Sequence, residues 1–339
     1  MRIALAWCLM AVLVAILGVM PEAFAQVLEN APRPAQSGNG FLQPLGPIAE
    51  DQRAHLFRVI AITSIAILPV IIGVPLIIWR YRYRPDGERG GEYKPYWDFS
   101  WPLEFVLWGV PIVIVSVLSF WLWHSTIRLD PYKAVGPDPL VVRAIGYEWK
   151  WLFLYPDEDV ASVGELVIPV DRPVRIELTT DGVMQSFFIP ALAGQIYAMP
   201  GMTTQLNLIA DRAGAAIGEN TQFNGSGFGK QKFTVRAVPE AQWTGWVGAA
   251  ASARELDSRT LALIAKRSTL AELRSDLGLN DAANVESLVL RSTSDTIFQE
   301  MLGRYSPGHG HMSTHGTKAG EPTFGAGHQH TAEGTSHDG

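Results

Sequence analysis

The sequence of 339 residues has a single cysteine, Cys8, and no excess of basic residues. One cysteine excludes an intrachain disulfide and a pair of thiolates that could clamp a metal ion. The 33 acidic residues outnumber the 27 lysines and arginines, and the formal net charge is −6. A net negative charge of this kind is not typical of proteins that bind nucleic acids. We therefore expect a function that uses neither cysteine chemistry nor a nucleic acid partner.

The N-terminal residues have the pattern of a secretory signal. Arg2 precedes an apolar run at residues 3–20, and Ala23-Phe24-Ala25 provides a small-x-small cleavage site. Residues 1–25 therefore predict a signal peptide, and an uncleaved anchor is the alternative because the run is long. Residues 26–50 are rich in proline, glycine, asparagine and glutamine and predict an extended periplasmic leader.

Two further apolar stretches predict a membrane hairpin. Leu56–Trp79 and Trp101–Trp123 are each long enough to cross a bilayer core, which takes about 20 residues. The segment between them is short and basic, which places it in the cytoplasm. Its cations are Arg80, Arg82, Arg84, Arg89 and Lys94. Residues 51–125 therefore predict a two-helix transmembrane hairpin with both ends outside the cytoplasm, and buried helices of a soluble protein are the alternative.

Glu104 lies near the predicted cytoplasmic end of the second stretch, within WPLEFVLWGVPIVIV. A carboxyl group inside a membrane helix is costly, and such residues often belong to proton paths. The alternative is an interfacial glutamate that extends into the lipid headgroups. Its position in the sequence does not distinguish the two interpretations.

Residues 137–240 change to the alternating pattern of β-strands. In IGYEWKWLFLY, the odd-numbered residues from Ile145 to Tyr155 are apolar and predict one strand face, with Glu148 and Lys150 on the other. Turn signals such as Asp181-Gly182 separate further runs. The same alternation recurs at residues 174–178, 206–208 and 233–237. Several short strands of this kind predict an all-β sandwich or a small barrel.

The C-terminal third returns to helical spacing and then loses its apolar residues. Residues 241–305 predict a helical extension, and Ser294-Asp295 predicts the cap of its last helix. Its apolar stripes are Leu261, Ile264 and Ala265, and the pairs Ile297 with Met301 and Phe298 with Leu302. Residues 306–339 hold six of the eight histidines. A histidine-rich tract can bind metal, but the irregular spacing and the composition favour a disordered tail.

These features together resemble subunit II of the haem–copper terminal oxidases. The resemblance includes the motif E-x-x-x-W-x-x-P at Glu104, Trp108 and Pro111, the segments DGVMQSFFIP and GYEWKWLFLYP, and the VRAVP strand. It covers roughly residues 50–240. It implies a membrane-anchored chain in which residues 137–240 form a cupredoxin-like sandwich. In the cytochrome c oxidase members, this sandwich holds a dinuclear copper centre.

The loop that would hold this copper centre reads GENTQFNGSGFGKQ, from Gly218 to Gln231. It aligns with the ligand pattern of the family without a gap, but amides and a phenyl ring replace the ligands. The positions that correspond to copper ligands are Gln185, Asn220, Gln222, Asn224, Phe228 and Gln231. Two thiolates make such a site soft enough for paired copper, and these side chains cannot replace them. The resemblance therefore implies a cupredoxin-like domain without copper.

Members of the family that lack these ligands belong to the quinol oxidases, and the chain is similar to the cytochrome bo-type ubiquinol oxidase branch. The resemblance implies a non-catalytic subunit of a proton-pumping ubiquinol oxidase in the bacterial inner membrane. Haems and one copper would belong to the partner subunit I, with no cofactor on this chain. Glu104 matches the acid at the mouth of the K-type proton pathway. One departure is Gln26, where that branch often has a lipid-modified cysteine.

Two alternatives follow from the same residues. A membrane-anchored periplasmic copper-binding protein would use the histidine-rich tail for metal. A quinol oxidase that takes menaquinol or carries other haems would have the same subunit II features. The first alternative differs in function class, and the second only in substrate and cofactor.

Overall fold

The computed structural model describes residues 40–82, 96, 98–279, 287–292 and 296–305. The signal peptide, residues 26–39 of the leader, most of the basic loop, the Ser294-Asp295 cap and the histidine-rich tail lie outside these residues. The chain divides into one unit at residues 1–305 and a second at residues 306–339. The following description concerns the first unit.

Two long apolar helices come first. Helix α1 spans Pro47–Tyr81 and α2 spans Trp101–Arg128. Their most apolar windows have mean hydropathies of 2.6 and 2.3, so both are long and apolar enough to cross a membrane. Helix α1 begins at Pro47 rather than at the predicted residue 51, because proline is well suited to a first helical turn. The two helices pack through a small cluster around Ile62 and Ile114.

Within the described residues, eleven strands form a two-layer sandwich, which confirms the predicted fold class. The first sheet has the order β11-β3-β2-β1-β5-β8 and the second the order β4-β10-β9-β6-β7. The pairs β1–β5 and β4–β10 are parallel, and the other named pairs are antiparallel. The strands are β1 Leu140–Tyr147, β2 Lys150–Tyr155, β3 Val160–Val163, β4 Glu165–Pro169, β5 Val174–Thr180, β6 Gln185–Phe188, β7 Gln195–Ala198, β8 Thr204–Leu208, β9 Gly214–Asn220, β10 Lys232–Val238 and β11 Leu288–Arg291.

An aromatic cluster fills the space between the sheets. Phe187 of β6 and Phe233 of β10 stack with ring centroids 5.1 Å apart. Trp151 and Phe153 of β2 meet Phe187 edge-on at 5.0 and 6.2 Å. All four side chains are buried. Offset and edge-on contacts of this kind add to the stabilisation that burial alone provides.

The prediction that the odd-numbered residues of IGYEWKWLFLY share one face was wrong. Glu148 and Trp149 form a two-residue hairpin turn, in which Trp149 has a φ of 72° and Tyr147 pairs with Lys150. Paired residues lie on the same face of a sheet, so the turn shifts the alternation by one position. As a result, Tyr147 belongs to a second cluster outside the sandwich, whereas Trp151 belongs to the central core.

Most of the C-terminal extension covers that outer cluster, whereas Trp243 and Ala250 pack in the central core. The extension contains more than helices. Its helices are α3 Glu240–Ala250, α4 Ser258–Ala265, α5 Leu270–Asp276 and α6 Ile297–Arg304. The stripes around Ile264 and around Phe298 are buried in the outer cluster, as their spacing predicted. The extension was predicted to be helical, but it also contains strand β11. This strand pairs with β3, because an unpaired strand edge offers backbone groups that need partners.

Candidate functional site

The loop singled out by the sequence closes one end of the sandwich. Strand β9 ends at Asn220 and β10 begins at Lys232, so residues 221–231 connect neighbouring antiparallel strands. Gln185 begins β6, which pairs with β9 on its other side. The fold therefore brings Gln185 next to both ends of the loop.

Four amide side chains, Gln185, Asn220, Asn224 and Gln231, form a buried amide cluster at this end. Gln231 is its centre. Its Nε2 donates to Oε1 of Gln185 at 2.5 Å, and its Oε1 accepts from Nδ2 of Asn220 at 3.0 Å and of Asn224 at 2.7 Å. Burial of amides is favourable only when they are hydrogen-bonded, and these groups supply one another's partners.

Backbone groups complete the amide cluster. The carbonyl of Tyr147 accepts from Nε2 of Gln185 at 3.1 Å and from Nε2 of Gln231 at 3.2 Å. Oδ1 of Asn220 accepts from the backbone N–H groups of Ser186 and Gln222, both at 2.9 Å. Gln222 thus takes part through its backbone, and its carbonyl also accepts from Nδ2 of Asn220 at 2.8 Å. The cluster joins β1, β6, β9 and the start of β10.

Two of the positions that correspond to copper ligands, Asn224 and Phe228, make fewer contacts with the amide cluster than the others do. Oδ1 of Asn224 is buried and has no hydrogen-bond partner within the described part of the chain. Phe228 is half-buried, and its ring lies 5.8 Å from that of exposed Phe223, outside the amide cluster. Phe228 is therefore a surface aromatic residue of the loop and not a member of the buried network.

The side chains present do not fit a dinuclear copper centre. Such a centre needs thiolates, whose charge and softness match copper. In the amide cluster, the N–H groups of Asn220 and Asn224 point to Oε1 of Gln231, so these positions donate protons to a neighbour rather than electron pairs to a metal. Within the residues that the structure describes, no group of three or more histidine, cysteine, aspartate or glutamate side chains is arranged to hold a metal ion.

The sequence did not indicate what supports the loop from outside. The indole of Trp149, in the β1–β2 turn, packs against Gly227, where a Cβ would collide with the ring. Nε1 of Trp149 also donates to the carbonyl of Asn224 at 3.4 Å. On the extension side, the guanidinium of Arg267 lies 5.1 Å from the Trp149 ring centroid and forms an ion pair of 3.1 Å with Glu148. The sequence offers no signal for this contact, because Gly227 and Trp149 are far apart in the chain and only the fold brings them together.

Glu104 is far from the amide cluster. It lies in the first turn of α2, whereas the sandwich follows the last turn, and a helix of this length spans about 40 Å. Its Oε2 accepts a hydrogen bond of 3.1 Å from Nε1 of Trp108, one turn later. The E-x-x-x-W spacing therefore produces a direct contact on one helix face.

Comparisons with known proteins agree with this architecture. A family model described as cytochrome c oxidase subunit II, periplasmic domain, matches residues 159–238. The cytochrome bo(3) ubiquinol oxidase subunit 2 of Pseudomonas aeruginosa is 34% identical over 297 residues, which cover 87% of this chain and 83% of that protein. The chain belongs to the quinol oxidase subunit 2 family. The ubiquinol oxidase subunit 2 of Acetobacter aceti is 38% identical over 65% of this chain and 72% of its own length.

Among solved structures, the periplasmic domain of subunit II of cytochrome oxidase from Bradyrhizobium japonicum is similar at 26% identity. It covers 36% of this chain and 96% of its own length, with a TM-score of 0.33. Family membership makes the chain a subunit of an oxidoreductase complex. With the two apolar helices, it indicates an inner membrane protein with a periplasmic domain. The alternative of an independent copper-binding protein is not favoured, because the relatives extend over most of the chain.

Proposed function

We propose that the chain is the non-catalytic subunit II of a proton-pumping ubiquinol oxidase, a complex that oxidises ubiquinol and reduces oxygen to water. The haems and the single copper belong to subunit I, and this chain carries no redox cofactor. Ubiquinol enters the proposal from the names of the relatives, which are ubiquinol oxidase subunits in Pseudomonas aeruginosa and Acetobacter aceti.

The amide cluster is the observation that carries this proposal. Gln231 bonds to Gln185, Asn220 and Asn224, so four of the positions that correspond to copper ligands are occupied by amides that bond to one another. Amide side chains have no accessible redox state, so this network cannot accept an electron and pass it on. A complex with this subunit takes its electrons from a membrane-dissolved quinol and not from an external cytochrome c.

The contacts between the hairpin and the sandwich support a structural role. The carboxylate of Glu50 in α1 forms an ion pair of 2.7 Å with Arg212 of the sandwich. Leu45 exchanges backbone hydrogen bonds with Ala191 and Asp211, at 2.7 and 3.0 Å. With the hairpin packed against subunit I in the membrane, these contacts hold the sandwich over the outer face of that partner. Both helices cross the membrane, and the sandwich lies in the periplasm.

Glu104 contributes to proton uptake in this proposal. It is a carboxyl group in the first turn of α2, and among the described residues it accepts a side-chain hydrogen bond from Trp108. A carboxylate at the cytoplasmic membrane boundary is placed to collect protons for a pathway in the partner subunit.

The test is the electron donor of the purified complex. We expect oxygen consumption with a short-chain ubiquinol and none above background with reduced cytochrome c, under conditions of low ionic strength that favour cytochrome c docking. A menaquinol analogue, supplied under the same conditions, identifies the alternative quinol. Rapid, salt-sensitive oxidation of cytochrome c would contradict the proposal.

A further inference from the structure

A cavity of about 460 Å³ lies where the hairpin meets the sandwich. The start of α1 and the segment that follows α2 form two of its walls, and the β7–β8 region of the sandwich forms the third. The function proposed above does not use this cavity. Its mouth is at the end of the hairpin that leads into the sandwich, which is the periplasmic end in the proposed topology.

The cavity lining combines apolar residues with balanced charge. Four charged residues line it, two acidic and two basic: Asp51, Arg128, Asp130 and Lys133. Asp51 and Arg128 form an ion pair of 3.1 Å, and both are exposed to a large extent. Lys133 forms no ion pair with any described residue. The apolar part of the lining includes Pro47, Ile48 and Leu129. An amphipathic, electrically neutral ligand matches such a surface.

The length of the apolar part of α1 places the cavity relative to the membrane. Residues 59–79 are almost entirely apolar and form about 30 Å of helix, the thickness of a bilayer core. Arg58 and Arg80 therefore lie at the two boundaries of the hydrocarbon. The cavity residue Asp51 lies two turns, about 10 Å, beyond Arg58. The cavity is thus at the depth of the lipid headgroups.

Arg58 is an incompletely paired cation at that boundary. Its guanidinium packs 4.8 Å from the ring centroid of Trp121 on α2. Its Nε is buried and has no hydrogen-bond partner among the described residues. Arg58 and Asp51 are seven residues apart, so they lie on the same face of α1. A guanidinium at the hydrocarbon boundary is well suited to bind a phosphate group.

We propose that this cavity binds the headgroup of a zwitterionic aminophospholipid from the periplasmic leaflet. In such a lipid the phosphate lies nearer the acyl chains than the ammonium group. The charges of α1 follow the same order, because cationic Arg58 lies deeper than anionic Asp51. Asp51 already pairs with Arg128, so an anionic lipid without an amine would leave Asp130 as the cavity carboxylate without a cationic partner among the described residues. The inference rests on the proposed membrane crossing of the hairpin.

The test uses the purified complex in nanodiscs of phosphatidylcholine that contain two photoreactive lipid probes in separate experiments. One probe is a phosphatidylethanolamine with a small diazirine-bearing alkyl group on its nitrogen, which remains a cationic ammonium. The other has its photoreactive group at the end of the acyl chain. Labelled peptides are identified by mass spectrometry. We expect the first probe to label peptides from residues 47–58 and 129–135, and the second to label residues 59–79.

Competition and variants test the chemistry of the site. Unlabelled phosphatidylethanolamine should suppress labelling of the cavity peptides, and phosphatidylglycerol should not. Arg58→Gln should reduce this labelling about fivefold, because one cation near a lipid surface contributes on the order of 1 kcal/mol. Arg58→Lys should preserve most of it, and this variant is informative if the glutamine variant fails to assemble. Arg80→Gln, at the opposite boundary of the same helix, is the matched control and should have no effect.

Three results would overturn the proposal in distinguishable ways. If neither probe labels α1, the membrane crossing itself is wrong. If the acyl-chain probe labels residues 59–79 but the headgroup-proximal probe does not label the cavity peptides, polypeptide of a partner subunit fills the cavity. If phosphatidylglycerol competes as well as phosphatidylethanolamine, the site does not select a zwitterionic headgroup.

Discussion

Gln231 has the largest number of partners in the amide cluster. It bonds to Gln185, Asn220, Asn224 and the carbonyl of Tyr147, and its side chain is fully buried. An apolar side chain at this position would leave several buried amide groups without partners. Each unsatisfied buried group costs about 1–3 kcal/mol. The cluster therefore connects β1, β6, β9 and the start of β10 through side-chain hydrogen bonds.

Substitution of Gln231 tests this role. We expect Gln231→Leu to reduce the free energy of unfolding by about 2–4 kcal/mol, the cost of more than one unsatisfied amide. Gln222→Leu is the control, because the cluster uses only the backbone of Gln222. Urea denaturation of the full-length chain in detergent, followed by tryptophan fluorescence, measures both. Equal stability of the two variants would show that the cluster contributes little.

Glu104 allows a second prediction about a single residue. Glu104→Gln keeps the hydrogen bond from Trp108, since an amide oxygen also accepts from an indole N–H. It removes the titratable proton. We expect assembly to be unchanged and quinol-driven oxygen consumption, normalised to haem, to fall severalfold. Wild-type turnover in this variant would reduce Glu104 to a residue that anchors the helix at the membrane surface.

At the scale of elements, a buried lysine joins the extension to the sandwich. Lys150 begins β2, and its Nζ donates to the carbonyls of Lys266 and Ser268 at 2.8 and 2.7 Å. It also donates to Oγ of Ser268 at 3.1 Å. The residues between α4 and α5 are thereby bound to the start of a sandwich strand. Burial lowers the pKa of Lys150 to about 8, against the opposing attraction of Glu272 and Glu148.

This pKa predicts how stability depends on pH. Between pH of about 8 and 10, the unfolded chain keeps a proton on Lys150 that the folded chain has lost, so the free energy of unfolding rises with pH. Lys150→Met lacks this contribution. It also leaves two carbonyls without a donor, at a cost of about 1–3 kcal/mol. We expect the stability difference between wild type and variant to be present at pH 7 and to grow towards pH 10.

The control for this experiment is Lys266→Met, because the side chain of Lys266 is exposed and pairs with Asp276 at the surface. Its stability should follow that of the wild type at every pH. A difference between wild type and Lys150→Met that is constant from pH 7 to 10 would contradict a lowered pKa for Lys150.

Strand β11 shows why the extension could not be predicted fully. Its four residues, Leu288–Arg291, alternate in burial and pair with β3, an edge that belongs to a distant part of the sequence. Four residues are too few for periodicity to separate a strand from a helix. The stripes of α4 and α6 are longer and were predicted correctly, because their apolar residues recur at the spacing of a helix.

At the scale of the whole molecule, the end of the extension separates residues that support the fold from the tail. Tyr305 donates a hydrogen bond of 2.5 Å to Asp181, and Met301 is buried in the outer cluster. Residues 306–339 contain few apolar residues. Segments of such composition cannot bury enough surface to offset their ordering entropy. We therefore predict that residues 306–339 are needed neither for the fold of the preceding residues nor for the activity of the complex.

Two truncations test that boundary. Deletion of residues 306–339 should leave assembly, copper content and oxygen consumption of the complex unchanged. Deletion from residue 287 onward should prevent stable assembly, because it exposes the edge of β3 and removes Phe298 and Met301 from the outer cluster. Loss of copper from the complex on removal of the tail alone would restore the copper-binding interpretation.

The sequence by itself determined the elements of this protein: two spans from apolar length and a sandwich from alternation. Through the family resemblance, it also predicted five positions at which side-chain ligands for copper are missing. These properties depend on residues that are near one another in the chain. Only the tertiary structure decided which polar groups satisfy one another. Gln185 and Gln231 are 46 residues apart, and Lys150 and Ser268 are 118 apart. Burial removes water from such groups, so their stability depends on partners that the fold alone brings within hydrogen-bonding distance.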